Sequence, residues 1–187
     1  HADGGTKIIG GFNLQADQMS ILLRNIIRFV LLLLLQVFVL NQVLLHQLMS
    51  LNLYMLFVLL LPFNLPRPAL MLMALLMGLS MDMFMNTMGV HAAACVFIAY
   101  LRPFIINILS PQGGFETTQK TPSMTSMGVS QFLTFAAILV FFHNLVFFSL
   151  EVFGFGNFFY LLLKILCSTA ASIFLIVLYE LLFFSKK

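Results

Sequence analysis

The sequence predicts an all-α membrane protein of six transmembrane helices with both termini in the cytoplasm, and three observations predict it. Of 187 residues, 61% are hydrophobic and only 8% charged, against about 45–50% and about 25% in soluble domains. Mean hydropathy is +1.07. The few Lys and Arg outside the spans fall on one side of a bilayer if the chain crosses it six times. Charge this sparse cannot cover a water-soluble globule, which excludes a cytosolic enzyme core and a disordered chain. The pI near 9.1 does not indicate nucleic acid, because the nine basic residues sit apart and form no patch.

Residues 1–18, HADGGTKIIGGFNLQADQ, are polar and Gly-rich and lack helical periodicity. Met19 reads as a natural start. Residues 1–18 are therefore expected to be a disordered remnant foreign to the native chain, and 19–187 a single six-helix transmembrane domain. A secretory signal over 19–45 is a weak alternative, since no small-x-small cleavage site follows.

A helix needs about 20 apolar residues to cross about 30 Å of hydrocarbon. The stretches 26–45, 90–109, 131–149 and 158–183 meet this directly. Segment 50–85 is apolar on both sides of PFNLPRP (62–68), whose prolines and Arg67 break a helix. That leaves short helices over 50–64 and 68–84, either two thin crossings or one re-entrant hairpin.

Charge placement decides between them. Arg24 and Arg28 before the first span put the N-terminus in the cytoplasm. Six crossings then return Arg67, Lys120, Lys186 and Lys187 to that side and leave the outer connections 46–50, 82–90 and 150–157 without Lys or Arg. A re-entrant hairpin would hold Arg67 near mid-membrane, at roughly 2.5–3.5 kcal/mol. With no Trp in the chain, an interfacial aromatic belt rests on Tyr54, Tyr160 and Tyr179. The polar connection 110–130 reads as a mobile cytoplasmic loop, either a docking segment or a solvated connector.

Polar residues inside the spans invite explanation. Asp82 ends the third span and His91 begins the fourth, with Asn86, Thr87 and Gly89 supplying turn and capping chemistry between them. The group builds either a rigid outer turn or a recognition surface. Lys164 pairs with Asp82 or Glu151, or snorkels outward. Arg102 and Glu180 fall at similar depth and are candidates for a second interhelical pair. Pro103 frees the carbonyl of Ala99 and is expected to kink the fourth span.

Asn41, His46, His91 and His143 map to the outer half without metal-ligand spacing. Cys95 and Cys167 read as small buried thiols rather than a disulfide. Small residues at Gly78, Ala92, Ala99, Ser168 and Ser172 point to spans three, four and six as the tight centre. The first span, RFVLLLLLQVFVL, has no small residue and faces lipid or a partner helix. No catalytic set, metal cluster or phosphate-cradling loop emerges, so the expectation is a non-enzyme without metal or cofactor.

The stretch GLSMDMFMNTMGVHAAACVFIAYLRPF, residues 78–104, resembles the signature region of the MreD family of bacterial rod shape-determining proteins. The resemblance rests on Gly78, Leu79, Asp82, Gly89, His91 and Ala92, followed by Arg102 and Pro103. Met88 stands where family members often carry Pro. Elsewhere it covers 19–187 loosely, in length, span order and charge placement. It implies a non-enzymatic inner-membrane component of the cell-elongation machinery that builds peptidoglycan. The implied partners are an MreC-like scaffold, the RodA–penicillin-binding-protein synthase and the MreB filament, with no nucleic acid. The family is similar in architecture to substrate-binding S components of energy-coupling-factor vitamin transporters, which supplies the alternative function. Such components carry a small-xxx-small docking pattern on the first helix, and this first span has none.

Overall fold

The computed structural model describes residues 4–42, 50–111, 121–152 and 158–183, all helix, turn or irregular chain with no strand among them. Lys120, Lys186, Lys187, His46 and most of the expected outer connections 46–50 and 150–157 lie outside the described residues.

Helix α1 spans Gly4–Phe38 and ends in a short 3-10 turn, Leu40–Gln42. Its backbone is helical well before Met19, where a disordered remnant was expected. Once the apolar part has nucleated, each further residue adds a hydrogen bond at little cost. Four more long helices follow: α3 (Arg67–Met85), α4 (Val90–Leu109), α6 (Val129–Glu151) and α7 (Phe158–Phe183). With Leu22–Gln42, they make five helices long and apolar enough to cross a membrane.

The helix expected over 50–64 does not form. Only Leu56–Leu59 (α2) is helical, and the chain on either side is irregular. All of Leu53–Leu61 is nonetheless buried. This segment runs back along α1. Leu51 lies level with Gln36, and Leu60 lies beside Arg28. Pro66 then caps α3 and Pro68 sits in its first turn, where a missing N–H costs nothing. Helix α3 returns parallel to α1, so that Met85 meets Asn41 at the far end.

Helices α3 and α4 share the most extensive interface, followed by α4 with α6 and α6 with α7. The expected tight centre of spans three, four and six therefore needs correcting. The centre is the irregular segment itself, touched by α1, α3 and α4 and hydrogen-bonded by α1, α4, α6 and α7. Tyr54, expected in an interfacial belt, is fully buried there. Tyr160, by contrast, is exposed at the start of α7.

Helix α4 continues through Pro103. The end of the polar connection is ordered. Ser123 starts the single-turn α5 (Met124–Met127) with a capping box, and Glu180 of α7 accepts the Met124 N–H at 3.1 Å. The expectation of a mobile loop now concerns only 112–120, outside the described residues.

Candidate functional site

Two polar constructions occupy the apolar bundle. The first is the α3–α4 joint. Asn86 closes α3 in the left-handed conformation, φ 53°, and Gly89 follows at φ 82°. Two left-handed residues so close reverse the chain within four positions, and Asn and Gly are the residues that tolerate this conformation.

The reversal brings the Asp82 carboxylate onto the N-terminus of α4. Oδ1 accepts the His91 N–H at 3.0 Å and Oδ2 accepts the Ala92 N–H at 2.9 Å. These are amides that an α-helix leaves without internal partners, and the negative charge also meets the positive end of the helix dipole. The Thr87 hydroxyl and His91 Nδ1 complete the shell around Oδ1. One turn earlier, Gly78 packs against the α4 backbone. A Cβ on Gly78 would stand 2.4 Å from the Ala92 Cα. Asp82, Gly78, His91 and Ala92, read in the sequence as a group, thus form one rigid joint.

The second construction fastens residues 50–61. Irregular backbone inside an apolar bundle needs partners for its N–H and C=O groups, each costing about 1–3 kcal/mol if left bare. Side chains from the surrounding helices provide them. Gln36 donates to the Leu51 carbonyl at 2.7 Å and accepts from the Leu53 and Tyr54 N–H groups at 2.8 and 3.3 Å. Ser168 and Ser172 of α7 accept the Ser50 and Asn52 N–H groups at 3.0 and 3.2 Å. The Asn52 amide donates to Asn144, which donates in turn to Thr169.

At the other end of the segment, Arg102 donates to the Leu59 and Leu61 carbonyls, and Arg28 donates to Leu60. Tyr54 links to His143 Nε2 at 2.8 Å, and Phe147 lies against both His143 and His91. Among the described residues, three buried polar atoms have no hydrogen-bond partner: Arg102 Nε, His143 Nδ1 and Glu180 Oε1.

The expected ion pairs are corrected by these bonds. Arg102 does not pair with Glu180, because unsatisfied carbonyls of an irregular segment claim its guanidinium, while Glu180 holds Met124. Asp82 does not pair with Lys164, because helix amides claim its carboxylate. Of the partners considered for Lys164, it takes Glu151 at 3.0 Å and lies over the Phe148 ring. Gly89 and Pro103 act through backbone conformation alone. Cys95 and Cys167 are free thiols, and no His, Cys, Asp and Glu cluster among the described residues could hold a metal.

The residues that sequence reasoning missed are Gln36, Asn52, Asn144 and Tyr54. The signal for Gln36 was present: it is the one amide in RFVLLLLLQVFVL, where every uncompensated polar group is expensive. Compared with known proteins, the chain matches no family profile, no curated sequence and no solved structure.

Proposed function

We propose that this chain is a non-enzymatic, multi-pass component of the bacterial inner membrane that serves the cell-elongation machinery by binding partner membrane proteins, an MreC-like scaffold first among them. The observation that carries this reading is where the intramembrane polar groups go. Asp82, Gln36, Arg102, Asn144, Ser168 and Ser172 serve the chain's own backbone or one another. Such use fixes a shape and leaves no converging nucleophile, base and oxyanion donor among the described residues. What remains for function is the outer surface. It is broad and apolar, running along α1 through Leu23, Ile27, Leu31 and Phe38 and along α7 through Phe174 and Leu182. Helices gain little from apolar burial over lipid, so a rigid shape is what such a surface offers a partner helix.

The resemblance of residues 78–104 to the MreD signature supports the same reading. Its Gly, Asp, His and Ala positions build a single joint. The six-crossing topology with cytoplasmic ends belongs to this proposal too. Residues 50–66 act as the second crossing, irregular chain tolerated because protein encloses it. Arg24, Arg28 and Arg67 then share the cytoplasmic end.

Co-purification from native membranes with mass spectrometry tests the proposal. An MreC-like bitopic protein recovered in stoichiometric amount is the expected result. Recovery of a transporter coupling subunit and its ATPases would replace it with the vitamin S-component alternative.

A further inference from the structure

A groove of about 600 Å³ runs between α1 and α7, within the range of sites that take small ligands, about 300–1,000 Å³. Its walls are apolar, with Leu31, Leu34, Leu35 and Phe38 on one side and Tyr179 and Phe183 on the other. Arg28 stands at its cytoplasmic end. Helices α1 and α7 barely touch, so no helix among the described residues closes the groove.

The charge at that end is specific. Arg24 and Arg28 are one turn apart and therefore share a face of α1. Arg24 is exposed and Arg28 half-exposed. Arg28 uses one N–H on the Leu60 carbonyl, which leaves the rest of its donor fork open. Among the described residues neither arginine is ion-paired; Glu180 interacts with Arg28 at a distance while holding the Met124 amide. Among the described residues, two guanidiniums against this one carboxylate leave a net positive end to an apolar slot. From Arg28 to Val39 the slot follows about three helical turns, roughly 16 Å at 1.5 Å per residue, about one leaflet of hydrocarbon.

We propose that this groove binds one anionic phospholipid of the cytoplasmic leaflet, its phosphate on Arg24 and Arg28 and an acyl chain along Leu31, Leu35 and Phe38. Guanidinium matches phosphate bidentately, and basic pockets at the cytoplasmic ends of helices select acidic headgroups. The lipid fills the space that α1 and α7 leave between them and so completes the packing of the first helix. This rests on the orientation proposed above, and not on the role in cell elongation.

Native mass spectrometry of the whole purified chain, exposed to equal amounts of phosphatidylglycerol and phosphatidylcholine with the same acyl chains, tests the proposal. Phosphatidylglycerol adducts are expected to exceed phosphatidylcholine adducts by roughly thirtyfold, as two basic side chains near a headgroup imply. The double variant Arg24→Gln, Arg28→Gln should bring the ratio near one. Because Arg28 also secures Leu60, Leu35→Trp provides a second variant that fills the slot without touching charge; it should reduce adducts of both lipids. Equal adducts on the unaltered chain, a preference that survives the double arginine variant, or undiminished adducts on Leu35→Trp would overturn the proposal. So would a photo-crosslinker at Leu34 that, in native membranes, labels a discrete protein and no lipid, since the occupant would then be a partner helix.

Discussion

Asp82 and Gly78 act on the same joint in different ways, one by hydrogen bonding and one by leaving room. Asp82→Ala strips two amides at the start of α4 of their acceptors, so stability should fall by about 1–3 kcal/mol. Asp82→Asn keeps one carbonyl oxygen and should fall between the two. Thermal unfolding in detergent measures the series. Gly78→Ser drives a side chain into the Ala92 backbone, 2.4 Å from where its Cβ must sit. It should cost at least as much as Asp82→Ala, because overpacking against backbone has no side chain to move aside. Gly89 is the control. Its surroundings are open and its constraint is φ 82° alone, so Gly89→Asn should be nearly neutral and Gly89→Val should not. Equal losses for Gly78→Ser and Gly89→Asn would remove the steric account. These residues were legible in the sequence because their chemistry is local: a helix end, a turn and a helix start within fifteen positions. Whether Asp82 would face the turn or Lys164 depended on three-dimensional placement, and the orphan amides decided it.

Among the elements, residues 50–61 show where sequence reading reached its limit. Apolar composition bounded by prolines predicts a helix, and the boundary at 62–68 was right. The chain instead gives up its internal hydrogen bonds because partners distant in sequence replace them. Gln36 reaches Leu51 across 15 positions, and Ser172 reaches Asn52 across 120. No local pattern encodes such a match. The consequence is testable. Gln36→Leu leaves the Leu53 and Tyr54 amides and the Leu51 carbonyl bare, a loss of about 3 kcal/mol or more. Hydrogen–deuterium exchange should show faster exchange across 50–60 with α4 and α6 still protected. Unchanged protection of 50–60 would mean that the segment is held by packing alone. The same logic explains Arg102. Burial of an arginine with no acid beside it is expensive, and the Leu59 and Leu61 carbonyls supply the acceptors that make it tolerable.

For the whole molecule, the described residues hold five helices long and apolar enough to cross a membrane, and the proposed six-crossing arrangement counts the enclosed irregular segment as a further passage. Single cysteines in a cysteine-free background test the orientation. A cysteine replacing Val129, which is exposed at the start of α6, should react with an impermeant maleimide only from the cytoplasm, and one replacing Met88, which is fully exposed, only from outside. Labelling of both positions from one side would exclude the six-crossing arrangement. The sparse charge that marked a membrane protein at the outset thus has two uses. Asp82, Arg102 and Glu180 are buried and hold backbone groups of the bundle interior, and in the proposed arrangement the arginines outside it mark the cytoplasmic side. The central proposal, that the molecule serves cell shape through binding, is measured most directly by clean depletion in a rod-shaped host. Cells that round up while vitamin uptake stays normal are the predicted result; cells that keep their rod shape but lose uptake of a vitamin would contradict it.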